Sequence, residues 1–157
     1  MIVIAIIGIV STVAVPSYKT YIIKSKISEG MSIMGKVNTI INEYYSSQGV
    51  YPTATYIATQ FNTTPTGNNI NFNLANVSSI NINPDGSRAS YYGICYAFDV
   101  KDPGRRCIYV AVKNINDILI FKCGIWRIST PAAHHISDPA YLPSGCNETN
   151  LESFFLS

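Results

Sequence analysis

The chain has 157 residues, a formal net charge of +2 and only 13% charged residues. Its length fits one domain, or one domain with an appendage, and is sufficient to bury a core. The net charge is small and the charged residues are evenly spread, which argues against nucleic-acid binding by the bulk of the chain. Nucleic acid is therefore a partner that the charge does not support.

The first fifteen residues form an almost wholly apolar run that ends before Pro16. They include nine branched aliphatic side chains, whose exposure to water would cost on the order of 15–25 kcal/mol. We therefore expect the run to enter lipid, to lie inside an assembly, or to be removed as a signal peptide. Removal is disfavoured because no basic residue precedes the run and no clear A-x-A site follows it. As a helix the run would reach about 22 Å against about 30 Å of hydrocarbon, which indicates the larger part of a spanning helix.

Pro16 separates this run from a second helical pattern. Inside a helix a proline costs about 3 kcal/mol, which implies a kink or local melting. Gly8 is a second helix-weakening position, and melting between Gly8 and Pro16 during assembly is a hypothesis that follows from the two. We expect membrane and assembly contacts from the apolar helix of residues 1–16, made by Met1, Ile2, Ile4, Ile7, Gly8, Ile9, Val13 and Pro16.

Apolar side chains after Pro16 recur at spacings of three and four residues, which indicates an amphipathic helix. Gly49 favours a helix end, and Pro52 forbids continuation beyond it. The sequence therefore predicts one long helix over residues 1–48, whose amphipathic continuation is residues 17–48. Its stripe comprises Ile23, Ile27, Met31, Met34, Val37, Ile41 and Tyr44.

The region after the helix, residues 49–90, is interpreted as a helix-to-sheet connection because it is rich in Asn, Thr, Pro and Gly. Within it FNTTPTGNN is a loop by composition, and residues 70–77 and 79–84 are candidates for short strands. Stronger β patterns follow, with turns at DPG and NIND between them, and predict an antiparallel meander over residues 91–128. The patterns occupy residues 91–100, 106–112 and 117–128.

Four cysteines are present, and no two form a C-x-x-C motif. An even count beside an apolar N-terminal segment favours two disulfides and an oxidising compartment over a zinc site or free thiols, with three pairings open. Cys95 and Cys107 lie on the two strands of one predicted hairpin, where a cross-strand bridge is sterically possible. In the C-terminal tail, packing of Phe154, Phe155 and Leu156 on the sheet is favoured over a role as an interaction surface.

No catalytic, metal-binding or phosphate-binding motif occurs in the sequence. His134 and His135 are adjacent, and we interpret them as loop residues rather than metal ligands. We interpret Arg105 and Arg106 as solvated charges at a turn rather than as contacts to DNA or an acidic partner. We therefore expect no enzyme activity, no catalytic residue, no cofactor and no metal.

Three features of the first thirty or so residues resemble the N-terminal helix of type IV pilins, particularly the type IVa class. They are the run MIVIAIIGI, the step AVPSY, and the SEG that follows a basic turn. The family's mature chain starts with a phenylalanine and a short stretch that contains a glutamate, and both are absent here. The sequence is therefore expected to be a fragment or truncated, with the cleavage site, the methylated N-terminus and the assembly glutamate assigned to no position.

The segment FKCGIWRISTPAAHHISDPAYLPSGC is similar to the C-terminal disulfide-bounded region of the same family. This resemblance implies a bridge between Cys123 and Cys146 and a disulfide-bounded loop and tail over residues 129–157. It also implies an α+β pilin-like fold, in which a long, kinked N-terminal helix packs on an antiparallel sheet.

The function that the resemblance implies is a structural subunit of a type IV pilus, which serves adhesion, twitching motility and DNA uptake. Its partners would be other pilin copies, inner-membrane lipid before assembly, and the pilus assembly machinery; its final place would be the cell surface. Alternatives are a minor or tip pilin, a pseudopilin of type II secretion, and a membrane-tethered extracytoplasmic binding domain that does not polymerise. A secreted enzyme with an uncleaved signal is the least favoured.

Overall fold

A computed structural model describes residues 2–72, 74, 76–85, 89–96, 106–125, 141–146, 148, 151 and 153–154. The fold is α+β, as expected, with a long helix and a six-stranded antiparallel sheet. Its elements in chain order are α1 (Ile2–Gln48), α2 (Ala54–Gln60), β1 (Pro65–Thr66), β2 (Asn69–Asn71), β3 (Val77–Asp85), β4 (Ala89–Tyr96), β5 (Arg106–Ile115) and β6 (Ile118–Gly124).

The long helix predicted over residues 1–48 is present as α1, and its amphipathic stripe packs on the sheet. The helix ends where Gly49 takes a left-handed conformation (φ 71°) and donates its N–H to the carbonyl of Tyr45 at 2.8 Å. α1 continues without interruption through Pro16. The local melting at Pro16 is therefore not present in the single chain, and remains a hypothesis about the assembled state.

A short helix, α2, follows in the region that the sequence predicted to be a connection. Thr53 caps it: its side chain accepts a hydrogen bond from the backbone N–H of Tyr56 at 3.3 Å. The buried side chains of α2 include Ile57, which is fully enclosed. The Pro52–Thr53 pair was the available signal, because proline and a capping threonine often precede a helix.

The sheet is larger than the predicted meander of residues 91–128. Its strand order is β1-β2-β3-β4-β5-β6, and every neighbouring pair is antiparallel. β3 contributes the buried Ile80 and Ile82 and pairs along the whole of β4. The region 49–90 therefore supplies half of the strands, because alternate isoleucines between asparagines bury one face of β3 despite its polar composition.

The β5–β6 hairpin turns at Asn116 and Asp117, at the predicted NIND site. Both residues are left-handed, with φ of 53° and 63°, as a two-residue hairpin loop with type I′ geometry requires. The side-chain oxygen of Asn114 accepts the Asp117 N–H at 2.9 Å and holds the turn. The DPG turn at 102–104, predicted between the preceding strands, lies outside the described residues.

The main core lies between α1, α2 and one face of the sheet, and includes Val37, Ile57, Ile80 and Ile108. A smaller cluster on the opposite face consists of Ala111, Leu151 and Phe154. The predicted packing of Phe154 on the sheet is thus present, whereas Phe155 and Leu156 lie outside the described residues.

Candidate assembly surface

The first part of α1 projects from the sheet as an exposed apolar helix. We call residues 2–18 the apolar arm. Every described side chain in it is exposed, including all seven large aliphatic residues between positions 2 and 12. Their exposed fractions range from 55% at Ile6 to 77% at Ile2. Among the described side chains the first half-buried one is Thr20, and the arm contributes no described residue to either core cluster.

The arm provides a large free energy for association. Complete burial of a Val or Ile side chain is worth about 1.5–3 kcal/mol, so covering these seven would contribute on the order of 10 kcal/mol. Soluble monomers rarely expose a continuous apolar surface of this kind, which more often marks a protein or membrane contact.

Two hydroxyl groups of the arm bond to the backbone of the helix itself. Ser11 donates its hydroxyl to the carbonyl of Ile7 at 2.7 Å, and Thr12 donates to the carbonyl of Ile9 at 2.7 Å. The sequence places no charged residue before Lys19. Neither Ser11 nor Thr12 therefore requires a polar partner on the surface that covers this part of the arm.

The predicted membrane and assembly residues that the structure describes lie along one helix. Ile2, Ile4, Ile7 and Ile9 are exposed on the arm, and a Cβ added at Gly8 would meet nothing within 4 Å. Met1 and the side chains of Val13 and Pro16 lie outside the described residues. Within the part of the chain that the structure describes, no helix is both long enough and apolar enough to cross a membrane.

A contact that sequence reasoning missed attaches α1 to β4 where the amphipathic part of the helix begins. Gly30 is buried against Tyr96, and a Cβ at that position would overlap the tyrosine ring. The Tyr96 hydroxyl donates to the carbonyl of Ile27 at 3.0 Å. Glu29 accepts a hydrogen bond from the side-chain amide of Asn76 at 2.6 Å. Glu29 and Gly30 of the SEG motif thus hold α1 against the sheet.

A second tyrosine makes a similar connection about two helical turns further along α1. The Tyr92 hydroxyl donates to the side-chain oxygen of Asn38 at 2.6 Å and lies 3.2 Å from the carbonyl of Met34. Burial raises the pKa of Tyr92 well above its usual value near 10. Burial, and to a smaller extent the charge of Glu29, raise the pKa of Tyr96 as well. Both hydroxyls therefore stay protonated and can donate over the whole physiological range.

Two disulfides are present, Cys95–Cys107 and Cys123–Cys146, with Cα–Cα distances of 4.0 and 4.4 Å. The first joins residues that face each other across β4 and β5. The second joins β6 to the C-terminal loop and packs on α1, because Sδ of Met34 lies 3.7 Å from Sγ of Cys123. The bridge predicted from the resemblance thus lies beside the amphipathic part of α1.

The other sequence candidates do not form a site among the described residues. No group of three or more His, Cys, Asp or Glu side chains able to hold a metal ion occurs in the described part of the chain. His134, His135 and Arg105 lie outside it, as does the side chain of Arg106.

Comparison with known proteins gives relatives for part of the chain. Fimbrial protein EcpC of Eikenella corrodens is 46% identical over 52 residues, which are 33% of this chain and 34% of that protein. The type IV major pilin protein PilE of Neisseria gonorrhoeae is 38% identical over 52 residues, 33% of this chain and 31% of the relative. The chain resembles type IV pilins. A fimbrial protein of Neisseria meningitidis serogroup B is 38% identical over 52 residues, which are 33% of this chain and 31% of that protein.

The pilin resemblance drawn from the sequence is therefore confirmed over a third of the chain. The chain spans about a third of the length of the curated relatives it matches. No protein-family model matches it. The relatives are named as pilins and fimbrial proteins, which are structural subunits, in agreement with the expectation that this chain is not an enzyme.

Proposed function

We propose that this chain is a structural subunit of a type IV pilus, in which the apolar arms of many copies pack together in the filament core. The observation that carries the proposal is the arm itself: seven aliphatic side chains, each more than half exposed, on a chain whose curated relatives are pilins and fimbrial proteins. Mutual burial of such arms supplies the hydrophobic free energy that a non-covalent filament needs.

The same arm suits a subunit that is held in the inner membrane before it is assembled. An apolar helix whose hydroxyls bond to its own backbone tolerates lipid on any side, and equally tolerates neighbouring helices. The globular part would then lie outside the cytoplasm, where disulfides persist. Cys95–Cys107 and Cys123–Cys146 support that location.

The filament would stand at the cell surface and be extended and retracted by a dedicated assembly machinery, with its energy supplied by cytoplasmic ATPases. Adhesion, twitching motility and DNA uptake are the roles that the pilin resemblance implies for it. The arm and the helix–sheet core support the structural part of this proposal, and the choice among those roles rests on the resemblance alone.

The test compares two isoleucines of similar exposure, Ile7 on the arm (60%) and Ile118 on the β5–β6 hairpin (65%). Ile7→Lys places an ammonium where neighbouring arms would pack, and an unpaired buried charge costs several kcal/mol. We expect the amount of this chain in filaments sheared from cells to fall by about tenfold or more. Ile118→Lys adds the same charge to the globular part and should leave that amount unchanged. Quantitative mass spectrometry of the sheared and cell-associated fractions measures both.

The wild-type distribution decides among the alternatives. A chain that dominates the sheared fraction is a major pilin, and a chain present there at trace level is a minor or tip pilin. A wild-type chain that stays with the membrane and never enters the filament fraction would overturn the proposal in favour of a tethered binding domain.

A further inference from the structure

A groove of about 310 Å³ lies between α1 and the C-terminal loop, close to the end of the apolar arm. Its apolar floor includes Ile27 and Tyr141, both buried. Its polar lining includes Lys24 and Ser28 from α1 and Ser144 from the loop, and all three are exposed. The groove thus combines an apolar base with an ammonium and hydroxyl groups, which suits an amphiphilic anion.

Lys24, at the end of the groove nearest the arm, lies within side-chain reach of the lipid headgroups when the arm is buried in a bilayer. Lys24 lies nine residues, or about 13 Å, beyond Val15, the end of the apolar run. The headgroup layer occupies roughly 5–7 Å on each side of the hydrocarbon. A lysine side chain on a helix leans toward the N-terminus and extends its ammonium back toward that layer.

Two tyrosines connect the arm to the groove on one side of the helix. Tyr18 and Tyr21 are 66% and 70% exposed, and with Lys24 and Ser28 they follow spacings of three, three and four residues. Tyrosines are enriched at membrane–water interfaces because the ring is apolar and the hydroxyl is polar. The stripe therefore changes from aliphatic to aromatic to cationic in the order in which a bilayer changes from hydrocarbon to headgroup.

The charge of this part of the chain favours an anionic headgroup. The first 42 residues contain four lysines and one acidic residue, Glu29. The carboxylate of Glu29 bonds to Asn76 on the loop before β3. The loop segment that lines the groove, residues 141–146, carries no charge. Lys24 thus provides a positive charge at the groove.

We infer that the groove around Lys24 binds the anionic headgroup of a phospholipid while the arm is inserted in the membrane. The inference rests on the proposed membrane-held pilin subunit and names its lipid partner. Lys24 attracts the phosphate, and Ser144 donates a hydroxyl hydrogen bond to the polar headgroup. Because the loop is tied to β6 by Cys123–Cys146, the groove keeps its second wall without a lipid present.

The first experiment is native mass spectrometry of the full chain released from micelles that contain equal amounts of phosphatidylcholine and phosphatidylglycerol. We expect the phosphatidylglycerol-bound form to exceed the phosphatidylcholine-bound form by about fivefold, the effect of one lysine near an anionic surface. Lys24→Gln should reduce that excess several-fold. Lys36→Gln removes the same charge from α1 further from the arm and should retain it.

A second pair of variants tests the groove apart from the helix. Ser144→Asp places a negative charge on the loop wall without altering α1, and should also reduce the excess. Asn42→Asp adds the same charge at an exposed site near the other end of α1 and should have no effect. Equal lipid selectivity in Lys24→Gln and Lys36→Gln, or in Ser144→Asp and Asn42→Asp, would overturn the headgroup site.

Insertion of the wild-type chain into neutral vesicles distinguishes failure of the headgroup site from failure of the proposed membrane stage. A chain that resists extraction from phosphatidylcholine vesicles but shows no phosphatidylglycerol excess refutes the headgroup site alone. A chain that does not enter neutral vesicles at all refutes the membrane stage on which the inference rests.

Discussion

Gly30 is the residue at which the helix and the sheet come closest. Its missing side chain admits the ring of Tyr96, whose hydroxyl then reaches the carbonyl of Ile27. Any larger residue at position 30 would have to displace either the ring or the helix, and a close-packed interior resists both. The glycine of the SEG motif is therefore required by packing and not by backbone conformation.

We expect Gly30→Ala to lower the free energy of unfolding by about 1–3 kcal/mol, the usual range for overpacking a core. Gly35 is the matched control, because it lies in the same helix and a Cβ there would meet nothing within 4 Å. Gly35→Ala should raise the stability by about 0.5–1 kcal/mol through helix propensity. Chemical unfolding of the two variants in detergent micelles, followed by circular dichroism, measures whether each substitution lowers or raises the free energy of unfolding. A stabilising effect at both positions would show that Tyr96 does not press on Gly30.

The role of Gly30 was visible in the sequence only as part of a family motif. Its neighbour across the interface, Tyr96, is 66 positions later in the chain, and no local pattern connects the two. The hydrogen bond from Asn76 to Glu29 has the same character, because its partners belong to different elements. Local patterns predict which face of a helix is buried, whereas specific contacts depend on the tertiary fold.

At the scale of elements, two hydroxyls of β4 join the sheet to α1. Tyr92 and Tyr96 are both nearly inaccessible to solvent, and each bonds to a group on the helix. Burial raises the pKa of both phenols, so the folded state retains two protons that the unfolded chain releases near pH 10. The unfolded state then binds fewer protons, and stability falls as pH rises.

We expect this contribution to be fully present below about pH 10 and to be lost as pH rises from there toward the folded-state pKa values. The free energy of unfolding should fall by about 1.4 kcal/mol per pH unit for each buried tyrosine. Absorbance of the phenolate and helical circular dichroism, followed together in an alkaline titration, should change in one cooperative step. Tyr92→Phe should move that step to higher pH.

Tyr21→Phe is the control for the alkaline transition, because its side chain is 70% exposed and belongs to neither core cluster. It should leave the midpoint unchanged. Equal midpoints for Tyr92→Phe and Tyr21→Phe would show that the alkaline transition is not caused by deprotonation of the buried phenols.

The elements that sequence reasoning recovered are the long ones. α1 carries a clear helical period, and the strands β4, β5 and β6 are rich in β-branched and aromatic residues over seven residues or more. α2 has only seven residues and β1 only two, too few to establish a period. β3 was recovered in part, because the candidate strand 79–84 lies within it and alternates isoleucine with asparagine, and the candidate strand 70–77 overlaps the end of β2. The short elements α2, β1 and β2 and the polar strand β3 are stabilised by packing in the tertiary fold. Local sequence patterns carry no information about that packing.

At the scale of the whole molecule, the chain has a globular part with its own core and an apolar arm outside it. The candidate site was predictable, because an uncharged apolar run needs no tertiary information to be recognised as a surface that must be covered. The extent of the arm was not predictable, since the sequence predicts a helix that continues through Pro16, as observed, but places the end of the apolar part there. The boundary lies instead near Thr20, where α1 first meets the rest of the fold.

This division predicts that residues 20–157 fold without the arm. No described residue of either core cluster precedes Ile23, so removal of residues 1–19 should shift the melting temperature by less than about 4 °C. It should also remove the main apolar surface, so the truncated chain should be monomeric in water, whereas the full chain should associate or require detergent. Light scattering and thermal unfolding of both chains measure the two effects. A large loss of stability would mean that the arm supports the core, and persistent association would place the assembly surface on the globular part, where Ile118 and Val50 are also exposed.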